Sequence, residues 1–94
     1  MKSWKVICKR EVTATVDTVP HHIRRKLLSW VQSVEQFGIE AVRKLPGYHD
    51  EPLAGRRKGQ RSIRLSLSFR AIYTVLEGDK VNFVRLMEVT KHGY

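Results

Sequence analysis

The sequence predicts a small α+β fold with the element order β-α-α-β-β-β. Alternating apolar and polar residues near the N-terminus and again from residue 61 indicate strands, whereas residues 21–37 repeat apolar side chains at helical spacing. A continuous apolar and β-branched run at residues 71–75 indicates a central strand. The 94 residues suit one domain, residues 1–94, because a chain of this size buries only about two thirds of its unfolded surface.

The first predicted strand spans Ser3 to Glu11, where Trp4, Val6 and Cys8 share the face better suited to burial. Residues 12–16 are β-branched and either extend this strand or cross to the next element. Cys8 is the single cysteine, which excludes an intramolecular disulfide and a CxxC metal site. We expect it to be a buried, inert thiol.

An αα-hairpin is predicted to follow. Asp17 or Thr18 before Pro20 is a helix-start signal, because a side-chain oxygen caps free amides and proline lacks the N–H that would stay unpaired there. An apolar stripe then continues along the helix and marks its buried side: Ile23, Leu27, Val31 and Val34, with Leu28, Trp30 and Phe37 on or beside it. Gly38 is expected to break this helix, and a shorter second helix with Ile39, Val42 and Leu45 should end at Pro46 and Gly47.

Three further strands are predicted to form an antiparallel meander packed on the helices. A loop from Tyr48 to Gln60 leads into strands at Arg61 to Leu67, Phe69 to Leu76 and Val81 to Val89. In the first of them, alternation places Ser62, Arg64 and Ser66 on one face and Ile63, Leu65 and Leu67 on the other.

Charge points to a polyanionic partner. The chain has 18 Lys and Arg against 9 Asp and Glu, a formal net charge of +9. The stretch from Glu51 to Arg70 holds six cations and no acidic residue after its first position, so nucleic acid, an acidic protein or an anionic membrane are the natural partners. The sequence lacks the apolar run of a signal peptide and the ~20 apolar residues of a membrane span, and we expect a soluble, cytoplasmic protein.

Four segments together resemble the RelE/ParE superfamily of toxins from type II toxin–antitoxin systems, with motifs closest to YoeB, RelE and HigB. They are EPLAG at residues 51–55, RKGQRSIRL at 57–65, FRAIYTV at 69–75 and the terminal TKHGY. The resemblance covers essentially the whole chain and implies a RelE-like fold. RelE, YoeB, YafQ and HigB members cleave mRNA in the ribosomal A site, whereas ParE members poison DNA gyrase.

The YoeB-like pattern has a glutamate in a PEPL-like loop, an arginine opening the central strand, and a histidine and tyrosine at the C-terminus. Glu51, Arg70, His92 and Tyr94 match those positions. One glycine separates His92 from Tyr94, whereas the pattern has them adjacent. YafQ-like members use further histidines in the loop and second strand, where this chain has only His49 near the loop start.

The resemblance implies metal-independent RNA cleavage. This chemistry needs a base for the 2′-OH proton, cations to stabilise the phosphorane, and an acid for the departing 5′ oxygen. Glu51, then Arg64 with Arg70, then His92 would supply these roles. Each has a plainer interpretation: Glu51 and Arg64 as solvated side chains, Arg70 in an ion pair with Glu88 or Glu77, and His92 as an exposed terminal residue.

The remaining cations are expected to bind RNA rather than to react: Arg56, Arg57, Lys58, Arg61 and Lys91. Tyr94 either stacks on an extruded base or is a frayed end. No ligand spacing indicates a metal site, and no cofactor is expected. The resemblance further implies an acidic antitoxin from an adjacent gene, besides mRNA and the ribosome, and no membrane partner.

Two other functions stay open at this stage. A ParE-like gyrase inhibitor would act by binding, so its candidate catalytic side chains would be irrelevant. A noncatalytic RNA-binding module would use the same positive charge without cleavage.

Overall fold

A computed structural model describes residues 2–91. One five-stranded mixed sheet has the order β1-β5-β4-β3-β2, with strands β1 Ser3–Cys8, β2 Glu51–Pro52, β3 Arg61–Arg64, β4 Phe69–Leu76 and β5 Val81–Lys91. The helices are α1 Arg10–Val16, α2 His21–Phe37 and α3 Ile39–Arg43, and 3-10 turns lie at Pro46–Tyr48 and Gly55–Arg57. In this part of the chain, no helix is long and apolar enough to cross a membrane.

The predicted α+β class and the antiparallel meander of the last three long strands are confirmed. The structure adds the two-residue strand β2, which pairs Glu51 with Ser62 and Pro52 with Arg61. It also pairs β1 in parallel with β5. Because β5 therefore lies between β1 and β4, the first and last strands in chain order are neighbours, and β1 is an edge strand of the sheet.

The first strand ends earlier than predicted, because residues 10–16 form the helix α1 instead of continuing it. The Oγ1 atoms of Thr13 and Thr15 donate to the carbonyls of Lys9 and Glu11, four residues back. Such bonds let threonine remain in a helix despite its stiff side chain. Val12, 3% exposed, packs in the core, so burial overrides the β propensity of this segment.

Helix α2 begins after Pro20 and ends at Gly38, as predicted. Gly38 has φ 85°, and a Cβ there would come within 2.9 Å of Nε1 of Trp4. The predicted stripe is confirmed in its central members, which are fully buried: Ile23, Leu27, Trp30 and Val34. Leu28 and Phe37 at its margins are 51% and 65% exposed. Helix α3 ends at Arg43, shorter than predicted, and Pro46 starts a 3-10 turn.

All three helices pack on one face of the sheet, which we call the inner face. It contributes alternate strand residues to the core: Ile63, Ala71, Tyr73, Val84, Leu86 and Val89. In the part of the chain that the structure describes, no α-helix packs on the opposite, outer face. Ile72 is 1% exposed yet lies outside that core cluster, because it points to the outer face.

Two burial predictions are wrong. Cys8 is exposed, because it ends β1 at the edge of the sheet; partial burial still raises the pKa of its thiol. Leu67, expected on an apolar strand face, is 87% exposed. Strand β3 stops at Arg64, and the chain turns at Ser66 to Phe69, so the alternation does not extend to Leu67.

Candidate nucleic-acid cleft

An open cleft of about 370 Å³ lies on the outer face, where β2, β3 and β4 meet the β3–β4 turn. A cleft of this volume falls in the range of small-ligand sites, roughly 300–1,000 Å³. Its lining is mostly polar and charged, and comprises His49, Glu51, Ser62, Arg64, Ser66, Leu67, Phe69 and Arg70. Three of the four predicted catalytic residues therefore share one cavity.

Arg64 and Arg70 are directly opposite each other on β3 and β4. Side chains in such a pair have Cβ atoms about 5 Å apart, and like charges there repel each other. Nε of Arg70 is buried and has no hydrogen-bond partner among residues 2–91. The alternative that Arg70 forms an ion pair with Glu88 or Glu77 is wrong. Residues 2–91 contain two ion pairs, Arg57–Glu88 and Arg61–Asp50, and neither involves Arg70. An anion bound between the two arginines would relieve both their repulsion and the missing hydrogen bond.

Glu51 faces the arginines from β2. Its backbone pairs with Ser62, the one buried polar residue described, which is 3% exposed. The Glu51 side chain is exposed and lines the cleft. A carboxylate and two guanidinium groups thus border the same volume, an arrangement that suits proton removal beside a stabilised anion.

His49 also lines the cleft, and the sequence analysis did not select it as a site residue. It is the one non-glycine residue with positive φ in residues 2–91, at 46°. It stands two positions before Glu51, and both residues line the same cleft. This i, i+2 spacing of His49 and Glu51 was the available signal.

The β3–β4 turn closes the end of the cleft. Oγ of Ser66 accepts hydrogen bonds from the backbone amides of Ser68 and Phe69, both at 3.0 Å. The amides of Leu65 and Ser66 both donate to the carbonyl of Phe69. This bonding fixes the turn and presents the exposed Leu67 at the rim.

Two of the predicted RNA-binding cations have acidic partners. Arg57 pairs with Glu88 across the outer face, and Glu88 is the cross-strand partner of Ile72. Arg61 pairs with Asp50 through its Nε, at 2.6 Å. Contact of Arg57 and Arg61 with RNA stays a prediction. Three of the predicted cations are exposed: Arg56, Lys58 and Lys91.

Asp50 anchors the segment that carries Glu51. Its side chain is 1% exposed, and its second oxygen accepts a hydrogen bond from the Tyr73 hydroxyl at 2.5 Å. Burial of the phenol raises the pKa of Tyr73 to about 12, with Asp50 adding to the shift and Arg43 opposing it.

The remaining predicted residues, His92 and Tyr94, lie outside the described part of the chain. Strand β5 reaches Lys91, which pairs with the cleft residue Phe69. Among residues 2–91, no group of three or more His, Cys, Asp or Glu side chains could hold a metal ion.

No protein-family model matches the sequence, and no curated protein matches it. Solved structures do match. The YoeB/ParE toxin from Agrobacterium tumefaciens has TM-score 0.72 at 15% identity and covers 95% of this chain and 99% of its own. The archaeal RelE–RelB complex from Pyrococcus horikoshii has TM-score 0.72 at 21% identity, covering 97% of each chain. The YoeB–YefM complex from Staphylococcus aureus has TM-score 0.70 at 16% identity, covering 96% and 98%. The chain has the RelE-like toxin fold.

Proposed function

We propose that this protein is the toxin of a type II toxin–antitoxin pair, a ribosome-associated endoribonuclease that cleaves mRNA and so inhibits translation. The observation that carries the proposal is the Arg64–Arg70 pair, with an unpartnered buried Nε, facing Glu51 across an open cleft. A phosphodiester provides the anion that this pair lacks, and its 2′-OH provides the proton that a carboxylate removes.

The proposed reaction uses the RNA's own hydroxyl as the nucleophile. Glu51 takes the 2′-OH proton as the oxygen attacks the adjacent phosphorus. Arg64 and Arg70 stabilise the charge of the phosphorane. The bond from phosphorus to the 5′ oxygen then breaks, and an acid protonates that oxygen, leaving a 2′,3′-cyclic phosphate and a 5′-OH.

Two histidines are candidates for the acid. His92 follows Lys91, the last described residue of β5, and the resemblance assigns this role to it. His49 already lines the cleft. An imidazole can carry and release a proton near neutral pH. We expect His92 to be the acid; normal cleavage by His92→Ala together with loss of cleavage by His49→Ala would assign the role to His49 instead.

The other exposed cations would bind mRNA or ribosomal RNA. Arg56, Lys58 and Lys91 are exposed and would position the strand through its phosphates. Tyr94 would stack on a base. The net charge of +9 also favours an acidic antitoxin that covers the cleft, and two of the matched structures are toxin–antitoxin complexes.

Primer extension in a translation extract tests the proposal. Wild-type protein should cut mRNA at codon-defined positions, and Arg70→Ala and His92→Ala should abolish these cuts while circular dichroism stays native. The exposed Glu77→Gln is the matched control and should cut normally. Unchanged cleavage by both alanine variants contradicts the assignment.

A 2′-deoxy nucleotide at the cut site should block cleavage, because the attacking hydroxyl is then missing. Inhibition of DNA supercoiling without RNA cleavage would instead identify a gyrase inhibitor. Tight, salt-dependent RNA binding without cleavage or growth arrest would identify a binding module. The antitoxin proposal predicts that co-expression of a neighbouring acidic gene product restores growth; a harmless lone gene contradicts it.

A further inference from the structure

Asp50 separates two cleft residues, yet its own side chain points into the protein. His49 and Glu51 are exposed and line the cleft, whereas the Asp50 side chain is 1% exposed. Successive side chains of an extended segment point to opposite sides, so fixing Asp50 inward directs Glu51 outward. His49 joins Asp50 through a left-handed backbone turn, so the position of Asp50 also fixes where His49 lies.

Both carboxylate oxygens of Asp50 are bound. Oδ1 accepts from Nε of Arg61 on β3 at 2.6 Å, and Oδ2 accepts from the hydroxyl of Tyr73 on β4 at 2.5 Å. A carboxylate held by two donors from different strands has little rotational freedom.

Tyr73 is itself fixed in the core. It is 0% exposed, its ring lies 5.2 Å from that of Trp30 between centroids, and its hydroxyl accepts from Nε of Arg43 at 3.1 Å. Arg43 ends α3. The series Arg43, Tyr73, Asp50, Arg61 therefore connects a helix, two strands and the cleft segment.

The backbone beside Asp50 needs such an anchor. His49 adopts left-handed backbone angles, φ 46° and ψ 49°, which a side-chain-bearing residue keeps only where its surroundings hold it. Its amide donates to the carbonyl of Pro46, and the Leu53 amide donates to that of Gln60. These two hydrogen bonds bracket the segment and report on its rigidity.

We infer that Asp50 and Tyr73 are positioning residues that hold His49 and Glu51 at the cleft. The inference rests on the proposed function for its catalytic consequence, but its structural consequence is independent of cleavage. Neither residue lines the cleft, so they would affect the cleavage rate through geometry and leave the arginine pair intact.

Tyr73→Phe is the first test, because it removes the hydroxyl and keeps the ring. The control is Glu35→Ala, which removes a different side-chain anchor, the carboxylate that accepts from the Val6 amide at 3.0 Å. We expect Tyr73→Phe to slow single-turnover cleavage by about 10–100-fold, since small misplacements reduce rates this strongly. Binding of a 2′-deoxy-blocked RNA should change by less than about twofold.

Hydrogen exchange provides the second readout and needs no cleavage. At matched global stability, the amides of His49 and Leu53 should exchange about tenfold faster in Tyr73→Phe than in Glu35→Ala. Asp50→Asn keeps an oxygen that can accept the hydrogen bond from the Tyr73 hydroxyl. Its single-turnover cleavage rate should therefore fall less than that of Asp50→Ala.

The outcomes separate the two proposals. If wild-type protein does not cleave RNA, the proposed function fails and the exchange rates alone decide the positioning role. If Tyr73→Phe matches Glu35→Ala in cleavage rate, or in exchange at His49 and Leu53, the inference is overturned. Equal losses of RNA binding and cleavage would also overturn it, because they indicate general destabilisation.

Discussion

The guanidinium of Arg57 is ion-paired with the carboxylate of Glu88, thirty-one residues further along the chain. The pair connects the β2–β3 loop to β5 across the outer face, in the row of the sheet that contains Ile72. The pair divides the basic loop into a paired cation, Arg57, and two exposed ones, Arg56 and Lys58.

Arg57→Ala should therefore differ from Arg56→Ala. We expect Arg57→Ala to lower the free energy of unfolding by about 0.2–1 kcal/mol, the usual range for a partly exposed pair, whereas Arg56→Ala stays within about 0.5 kcal/mol of wild type. For RNA binding, the measured quantity is the slope of the logarithm of the binding constant against the logarithm of the salt concentration. Arg56→Ala should reduce the magnitude of this slope by about 0.7. Arg57→Ala should reduce it by less, because Glu88 already offsets the charge of Arg57. Urea unfolding and anisotropy titrations measure both; identical slopes contradict the division.

Arg70→Met should separate stability from binding. Removing one of two opposed like charges, together with its unpartnered Nε, should leave stability unchanged or raise it by up to about 1 kcal/mol. Binding of a non-cleavable RNA should weaken at least about tenfold, since a charge-assisted hydrogen bond contributes about 1.5–3 kcal/mol. The exposed Lys80→Met is the control and should alter neither strongly. A variant destabilised by more than about 2 kcal/mol with unchanged binding would refute the anion site.

Stability should fall in alkali because of Tyr73. Burial raises its pKa from 10.0 to about 12 in the folded protein, so the neutral phenol is favoured by folding. Tyr73 contributes fully to the free energy of unfolding below about pH 10, where its phenol is neutral in both the folded and the unfolded chain. This contribution is lost as pH rises to about 12, because the phenol ionises at lower pH in the unfolded chain than in the folded protein. Two pKa units correspond to about 2–3 kcal/mol. Urea unfolding between pH 9 and 12 should show this loss relative to Tyr73→Phe; parallel pH profiles would contradict it.

Gly38→Ala should destabilise the junction of α2 and α3. Its φ of 85° is strained for alanine, and the added Cβ would lie 2.9 Å from Nε1 of Trp4. We expect a loss of about 1–3 kcal/mol. Gly47→Ala is the matched control, since a Cβ there meets nothing within 4 Å, and thermal unfolding should show little change. Equal melting temperatures for the two variants would refute this account.

Sequence patterns predicted the elements whose periodicity is long and consistent. Strand β4, at Phe69–Leu76, and helix α2 after Pro20 have the expected limits, because β4 is a continuous apolar and β-branched run and the apolar residues of α2 keep helical spacing. Helix α1 was missed because its β-branched composition favours a strand, and only the burial of Val12 decides against that. The end of β3 was missed because Ser66 forms local bonds that no alternation pattern encodes.

The residues of the candidate cleft were partly predictable, but their connections were not. Arg64 and Arg70 could be selected because their charges stand in strand-like surroundings, whereas Glu51, in a predicted loop, was selected through the family resemblance. The partners of the other cations could not, since Glu88 is thirty-one residues from Arg57 and any of several acids was equally available in sequence. Asp50 looked like one more loop carboxylate, and only the fold brings Tyr73 to it.

The sheet order also affects how the chain folds during its own synthesis. Strand β5 is made after every other strand, yet it occupies the position between β1 and β4. A nascent chain that lacks residues 81–91 holds β1 without its neighbour and β4 with one side unpaired. Such non-local pairing forms slowly and only after the late segment has left the ribosome. A chain interrupted before Val81 would therefore be unable to complete the sheet that supports the arginine pair.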